Sequence, residues 1–86
     1  MNVEAGQLVV YDPGYKIELG KVKRLNDKKP DTAFVWYGSG DTAACTNIAK
    51  LYPISLETAY ELRDVFENAY AFNEIINKGC AYDEKY

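Results

Sequence analysis

Upstream of Ser55 the chain carries no helical period. Its apolar residues come instead in short β-favouring runs over 7–11, 17–25, 32–37, 42–47 and 51–54, separated by turns of a few residues. Parallel neighbours would need a crossover of roughly a dozen residues or more, usually a helix, and none of these gaps holds one. Five antiparallel strands are therefore the expectation for residues 1–54. Asp12-Pro13-Gly14 ends the first strand with strong turn chemistry, and Gly20 offers the second a bend or a close backbone approach. Thr32-Ala33-Phe34-Val35-Trp36-Tyr37 has the highest β propensity in the chain and is expected at the centre of the sheet. Gly38-Ser39-Gly40-Asp41 turns into a thin fourth strand, and Pro53 confines the fifth to an edge.

At Ser55 the period changes from two to 3.6. Ser55 is a good N-cap, Glu57 sits in the first turn, and Gly79 is a plausible stop. Leu56, Ala59, Leu62, Phe66, Ala69, Phe72 and Ile76 follow three- and four-residue steps, which predicts one amphipathic helix of about 23 residues within 55–79. With 86 residues there is room for a single core. The expected fold is α+β: a small five-stranded antiparallel β-barrel over 1–54, a long C-terminal α-helix over 55–79, and a tail over 80–86. The helix either caps an open end of the barrel or presents its apolar face to a partner.

The first strand, the Asp12-Pro13-Gly14-Tyr15 loop, the basic second strand and the stretch Ala33-Phe34-Val35-Trp36-Tyr37-Gly38-Ser39-Gly40-Asp41 together resemble a Tudor-like member of the Src-homology-3-like barrels. The resemblance covers roughly residues 6–54. It implies an aromatic cage for a methylated lysine or arginine, with Tyr11, Tyr15 and Tyr37 as walls and Asp41 as the balancing acid. Gly40 stands where many such cages add another aromatic. The phrase Ser39-Gly40-Asp41-Thr42-Ala43-Ala44-Cys45-Thr46, followed by Leu51-Tyr52-Pro53-Ile54, also resembles short bacteriophage and mobile-element proteins. That likeness implies a stand-alone, non-enzymatic small barrel that binds or inhibits a host protein.

The residues themselves narrow the chemistry further. There is no histidine, which removes the commonest general base and metal ligand. Cys45 and Cys80 lie far apart in the chain without companion ligands, so no zinc site is expected, and free reduced thiols are the simpler reading. Gly38-Ser39-Gly40 reads as a hairpin turn, and no glycine-rich phosphate loop is present. Neither catalytic residues, nor a metal, nor a cofactor is expected. No apolar run is long enough to span a bilayer and the N-terminus does not resemble a leader, so a cytoplasmic protein is expected, in the host cytoplasm if phage-encoded.

Net charge is −3, divided unevenly: residues 1–54 carry seven basic and six acidic side chains, residues 55–86 three basic and seven acidic. The leading expectation is a protein-interaction module that uses Tyr11, Tyr15, Trp36, Tyr37 and Asp41 on the barrel or Tyr60 and Tyr70 on the acidic helix. Self-association through the long helix is a variant of it. The alternative is nucleic-acid binding through Lys21, Lys23, Arg24, Lys28 and Lys29, with neighbouring aromatics for stacking.

Overall fold

The structure is a computed structural model and describes residues 3–38 and 40–79. Five strands, β1 (Leu8–Tyr11), β2 (Glu18–Leu25), β3 (Thr32–Trp36), β4 (Ala44–Asn47) and β5 (Leu51–Pro53), form one antiparallel sheet in the order β4-β3-β2-β1-β5. Turn chemistry sets the connections. Gly14 takes a φ of 113° while its N–H donates to Asp12 Oδ1 at 2.9 Å, which stops β1 where the Asp-Pro-Gly sequence places a turn. Between β2 and β3, Asn26 Oδ1 accepts from the Lys28 N–H at 3.1 Å. β2, rather than β3, occupies the middle of the sheet. Pro53 lies on the edge strand β5, opposite Val9 of β1.

The sheet is not closed into a barrel. β4 pairs only with β3 and β5 only with β1, so the ladder ends at two separate edges. These edge strands have four and three residues, joined by a 3₁₀ turn over Ile48–Lys50, which leaves little ladder with which to close a cylinder. Burial is achieved on both faces of an open sheet instead. Strand alternation sends Val9, Val22, Ala33, Val35 and Leu51 to one face, where Val3 joins them and Tyr11, Tyr37 and Ile48 close the margin. Gly20 lets the strands approach on this face, since a Cβ there would lie 2.5 Å from Val35 Cγ1. Val10 and Leu19 point to the other face and pack with Ala59, Phe66, Ala71, Phe72 and Ile75.

The long helix expected over 55–79 does not form. Helical structure is confined to α1 (Leu56–Glu61) and to an eight-residue stretch in which a 3₁₀ turn, Ala69–Ala71, runs into α2 (Phe72–Ile76). Ser55 caps α1 as expected, its Oγ accepting from the Thr58 N–H at 3.0 Å. The chain leaves the helical path after Leu62 because residues 66–68 bind the sheet directly. The Glu67 N–H donates to the Ile17 carbonyl at 2.8 Å. Asn68, 2% exposed, accepts from the Leu19 N–H at 2.9 Å and donates to the Leu19 and Tyr37 carbonyls, both at 2.8 Å. A straight rod of 23 residues would run about 35 Å, longer than any dimension of this 32 × 31 × 20 Å molecule. Folding back lets Ala59, Phe66 and Phe72 reach one cluster.

Lys21 secures the end of α2. Its ammonium, on a side chain belonging to a residue 7% exposed, donates to the Ile76 carbonyl at 2.7 Å and the Lys78 carbonyl at 3.0 Å. A cation at the C-terminal carbonyls also complements the helix dipole.

Replacing Asn68 by Leu leaves the Leu19 N–H and two carbonyls without these partners. We expect a loss of about 3 kcal/mol or more, read from the urea midpoint at unchanged m-value. Asn68→Asp should also destabilise, because a carboxylate accepts but cannot donate to the two carbonyls. A midpoint for both variants within error of the parent would show that Asn68 does not hold the C-terminal segment in place.

Candidate functional site

On β3 the residues that do not enter the core are Thr32, Phe34 and Trp36, all half-buried and alternating with buried Ala33 and Val35. Phe34 and Trp36 therefore stand on one face, two residues apart. The β2–β3 register shifts between Val22 and Arg24, so Lys23 is the extra residue of a β-bulge. Successive side chains of a regular strand point to opposite faces, but a bulge relaxes that rule. Here Lys23 Nζ lies 5.7 Å from the centre of the Trp36 ring and the Arg24 guanidinium 4.2 Å from that of Phe34.

A second wall comes from the C-terminal segment. Lys78 follows α2, places its Nζ 5.8 Å from the Trp36 ring centre and donates to the Gly40 carbonyl. The Trp36 indole N–H donates to the Asp41 carbonyl at 3.4 Å, and the Asp41 carboxylate lies 3.8 Å from Lys23 Nζ. Asn73 and Asn77 are one helical turn apart. With Trp36, Lys23, Lys78, Asp41 and Glu74 they line a cleft of about 680 Å³ between β3 and the C-terminal segment. Beyond Phe34, a separate cleft is lined by Arg24, Asn26, Asp27, Lys28 and Lys29.

No protein-family model matches this chain, and no curated protein or solved structure matches it either.

The residues expected to form a methyl-ligand cage are not brought to one place. Tyr11 and Tyr37 do pair, with ring centres 5.6 Å apart and planes tilted by 57°. They line a smaller cleft with Glu18, Cys45, Thr46 and Lys50. Asp41 belongs to the Trp36 cleft, and Tyr15 is 79% exposed with Lys16 Nζ 5.7 Å from its ring. The Tyr37 hydroxyl shares a hydrogen bond with Thr46 Oγ1 at 2.9 Å. Burial pushes the Tyr37 phenol well above its ordinary value; the Thr46 bond opposes the rise, and Tyr11 and Glu18 add to it.

The basic cluster expected along strand two is likewise divided. Lys21 is buried beneath α2 and serves the fold, whereas Lys23, Arg24, Lys28 and Lys29 stay on or near the surface. Tyr60 packs edge-on against Phe72, with ring centres 5.0 Å apart, and remains 51% exposed; Tyr70 is 87% exposed. Cys45 is an exposed free thiol that accepts from Asn26 Nδ2 at 3.8 Å, and Cys80 lies outside the described residues. Among the described residues no cluster of Cys, Asp and Glu is placed to hold a metal ion, and no helix is long and apolar enough to cross a membrane.

Phe34, Asn73, Asn77 and Lys78 are members of the site that sequence reasoning missed. Two-residue alternation places Phe34 beside Trp36, so its signal was present. The other three meet β3 only through the docking of the C-terminal segment.

A raised phenol pKa means that the folded state keeps its proton after the unfolded state, at about 10, has released it. Stability contributed in this way is present below pH 10 and declines as pH rises above it. Tyr37→Phe should lose about 1 kcal/mol at neutral pH with its hydrogen bond, yet show a shallower fall between pH 9.5 and 11.5 than the parent. Parallel alkaline profiles in urea unfolding would contradict this account of Tyr37.

Proposed function

We propose that this chain is a non-enzymatic protein-interaction module and that its protein partner docks on the C-terminal half. The observation that carries this reading is the exposure of large apolar side chains on a segment otherwise fixed to the sheet. Leu56 and Tyr60 lie one turn apart on α1 and are each 51% exposed, Val65 is 61% exposed and Tyr70 87%. Such side chains are normal singly, but four within residues 56–70 are concentrated where the backbone is held by Asn68 and the Phe72 cluster. A rigid display limits the ordering entropy lost on docking.

Charge defines the kind of partner. Glu57, Glu61, Asp64 and Glu67 are exposed in the same segment, against Arg63 alone as a cation. The complementary surface is apolar at its centre and basic at its rim. The overhanging rod that would have favoured self-association is absent among the described residues, since α1 ends at Glu61.

Leu56→Glu combined with Tyr70→Ala changes only exposed side chains, so the thermal midpoint should stay within a few degrees of the parent. Capture from the native host's lysate, followed by quantitative mass spectrometry, should show a protein retained by the parent and depleted at least tenfold by this double variant. The same protein should bind the parent when purified, with an affinity that falls as salt is raised. An identical set of captured proteins for parent and variant would refute docking on this half.

A further inference from the structure

We infer that the open face of β3 binds a short stretch of single-stranded nucleic acid, with Phe34 and Trp36 as stacking platforms and Lys23, Arg24 and Lys78 as phosphate contacts. This site goes beyond the protein partner proposed above and uses none of the same side chains.

The spacing of the rings is the first argument. Positions i and i+2 of a strand lie about 6.6 Å apart on one face, so Phe34 and Trp36 offer two platforms in series. Neither belongs to either core cluster, and both are half-buried, with part of each side chain left open to solvent. Bases unstacked from one another can lie on successive aromatic side chains, because every base has a π face.

The second argument is the placement of charge. Each ring has its own cation: Arg24 lies over Phe34 at 4.2 Å, and Lys23 and Lys78 lie near Trp36 at 5.7 and 5.8 Å. At 4.2 Å the guanidinium extends the Phe34 platform, and guanidinium planes themselves stack on bases. The two ammonium groups are held less closely to the indole, so a base that stacks there displaces them outward toward its own phosphates. Lys28 and Lys29, at the hairpin tip beyond Phe34, continue the positive charge along the strand direction.

The negative charge of the protein does not oppose this. Its acidic excess falls in residues 55–86, whereas Lys23, Arg24, Lys28, Lys29 and Lys78 outnumber Asp27, Asp41 and Glu74 around the β3 face. The Asp41–Lys23 pair is loose, at 3.8 Å with the Asp41 side chain 88% exposed, and such pairs are readily exchanged. Asn73 and Asn77 stand on the opposite wall of the Trp36 cleft, with amides able both to donate to and to accept from a base edge. A duplex would hide its bases from these rings, so single strands are favoured.

Trp36 is the only tryptophan in the chain and reports on its own site. Titrating the full chain with hexamers of deoxythymidylate or uridylate at low salt should quench its fluorescence. The affinity should fall with salt at a log–log slope near −2, as expected for about three phosphates. A duplex of equal length and a glutamate hexapeptide should quench weakly or not at all. With labelled oligonucleotide and anisotropy as the readout, Trp36→Ala and Phe34→Ala should each weaken binding roughly tenfold. Because these changes can disturb the sheet, Lys23→Gln and Arg24→Gln provide a second set at side chains outside both core clusters; each should lower the salt slope by about 0.7. Leu56→Glu with Tyr70→Ala should leave oligonucleotide binding unchanged, which separates this site from the protein-docking face. Absence of quenching at low salt, or equal quenching by the glutamate peptide or the duplex, would overturn the inference.

Discussion

The amide of Asn68 is engaged at both ends by main chain of β2 and of the residue that follows β3. One end accepts from the Leu19 N–H, and the other donates to the carbonyls of Leu19 and Tyr37. These groups lie on β2 and just past the end of β3, so a single side chain ties the C-terminal segment to both. In a buried setting an unpaired donor or acceptor is costly, which makes the arrangement nearly all-or-none. From it follow the break between α1 and α2, the burial of Phe66 and Phe72 over Val10 and Leu19, and the position of α2 across β2.

That position creates the cleft. Lys21 fastens the C-terminal end of α2 to the middle of β2, and Lys78 and Asn77 arrive beside Trp36 as a result. The bulge at Lys23 contributes from the other side by bringing two consecutive basic residues to consecutive aromatic residues of the same face. The molecule thereby acquires two surfaces of opposite character. One is acidic with exposed Leu56, Tyr60 and Tyr70; the other is an aromatic face edged by cations.

Much of the local structure was legible residue by residue. Runs rich in valine and aromatics, punctuated by Asp-Pro-Gly and by the polar stretch 26–31, define strands because these choices act over a few neighbours. Pro53 at an edge, Ser55 as a cap and Gly20 as a point of close approach follow from similarly local rules. The candidate site was only partly readable. Trp36, Lys23, Arg24 and Asp41 were singled out, while Tyr11 and Tyr37 proved to form a separate pair and Lys21 a structural cap. The stripe from Leu56 to Ile76 has a helical period, yet period records which residues are apolar at three- and four-residue steps and does not record where the chain must bend.

The strands, their antiparallel connection, the lack of histidine chemistry and the unequal distribution of charge were all readable from the residues in order, since these depend on composition and on contacts between near neighbours. The shortness of the two edge strands leaves the sheet open, and docking of the C-terminal segment divides the helix at residues 62–68. That docking also decided that Lys78 and the two asparagines of the α2 region face Trp36. The docking rests on hydrogen bonds and burial between residues some 50 positions apart, such as Asn68 with Leu19 and Lys21 with Ile76. No local propensity encodes such pairs; their free energy appears only when both elements are in place.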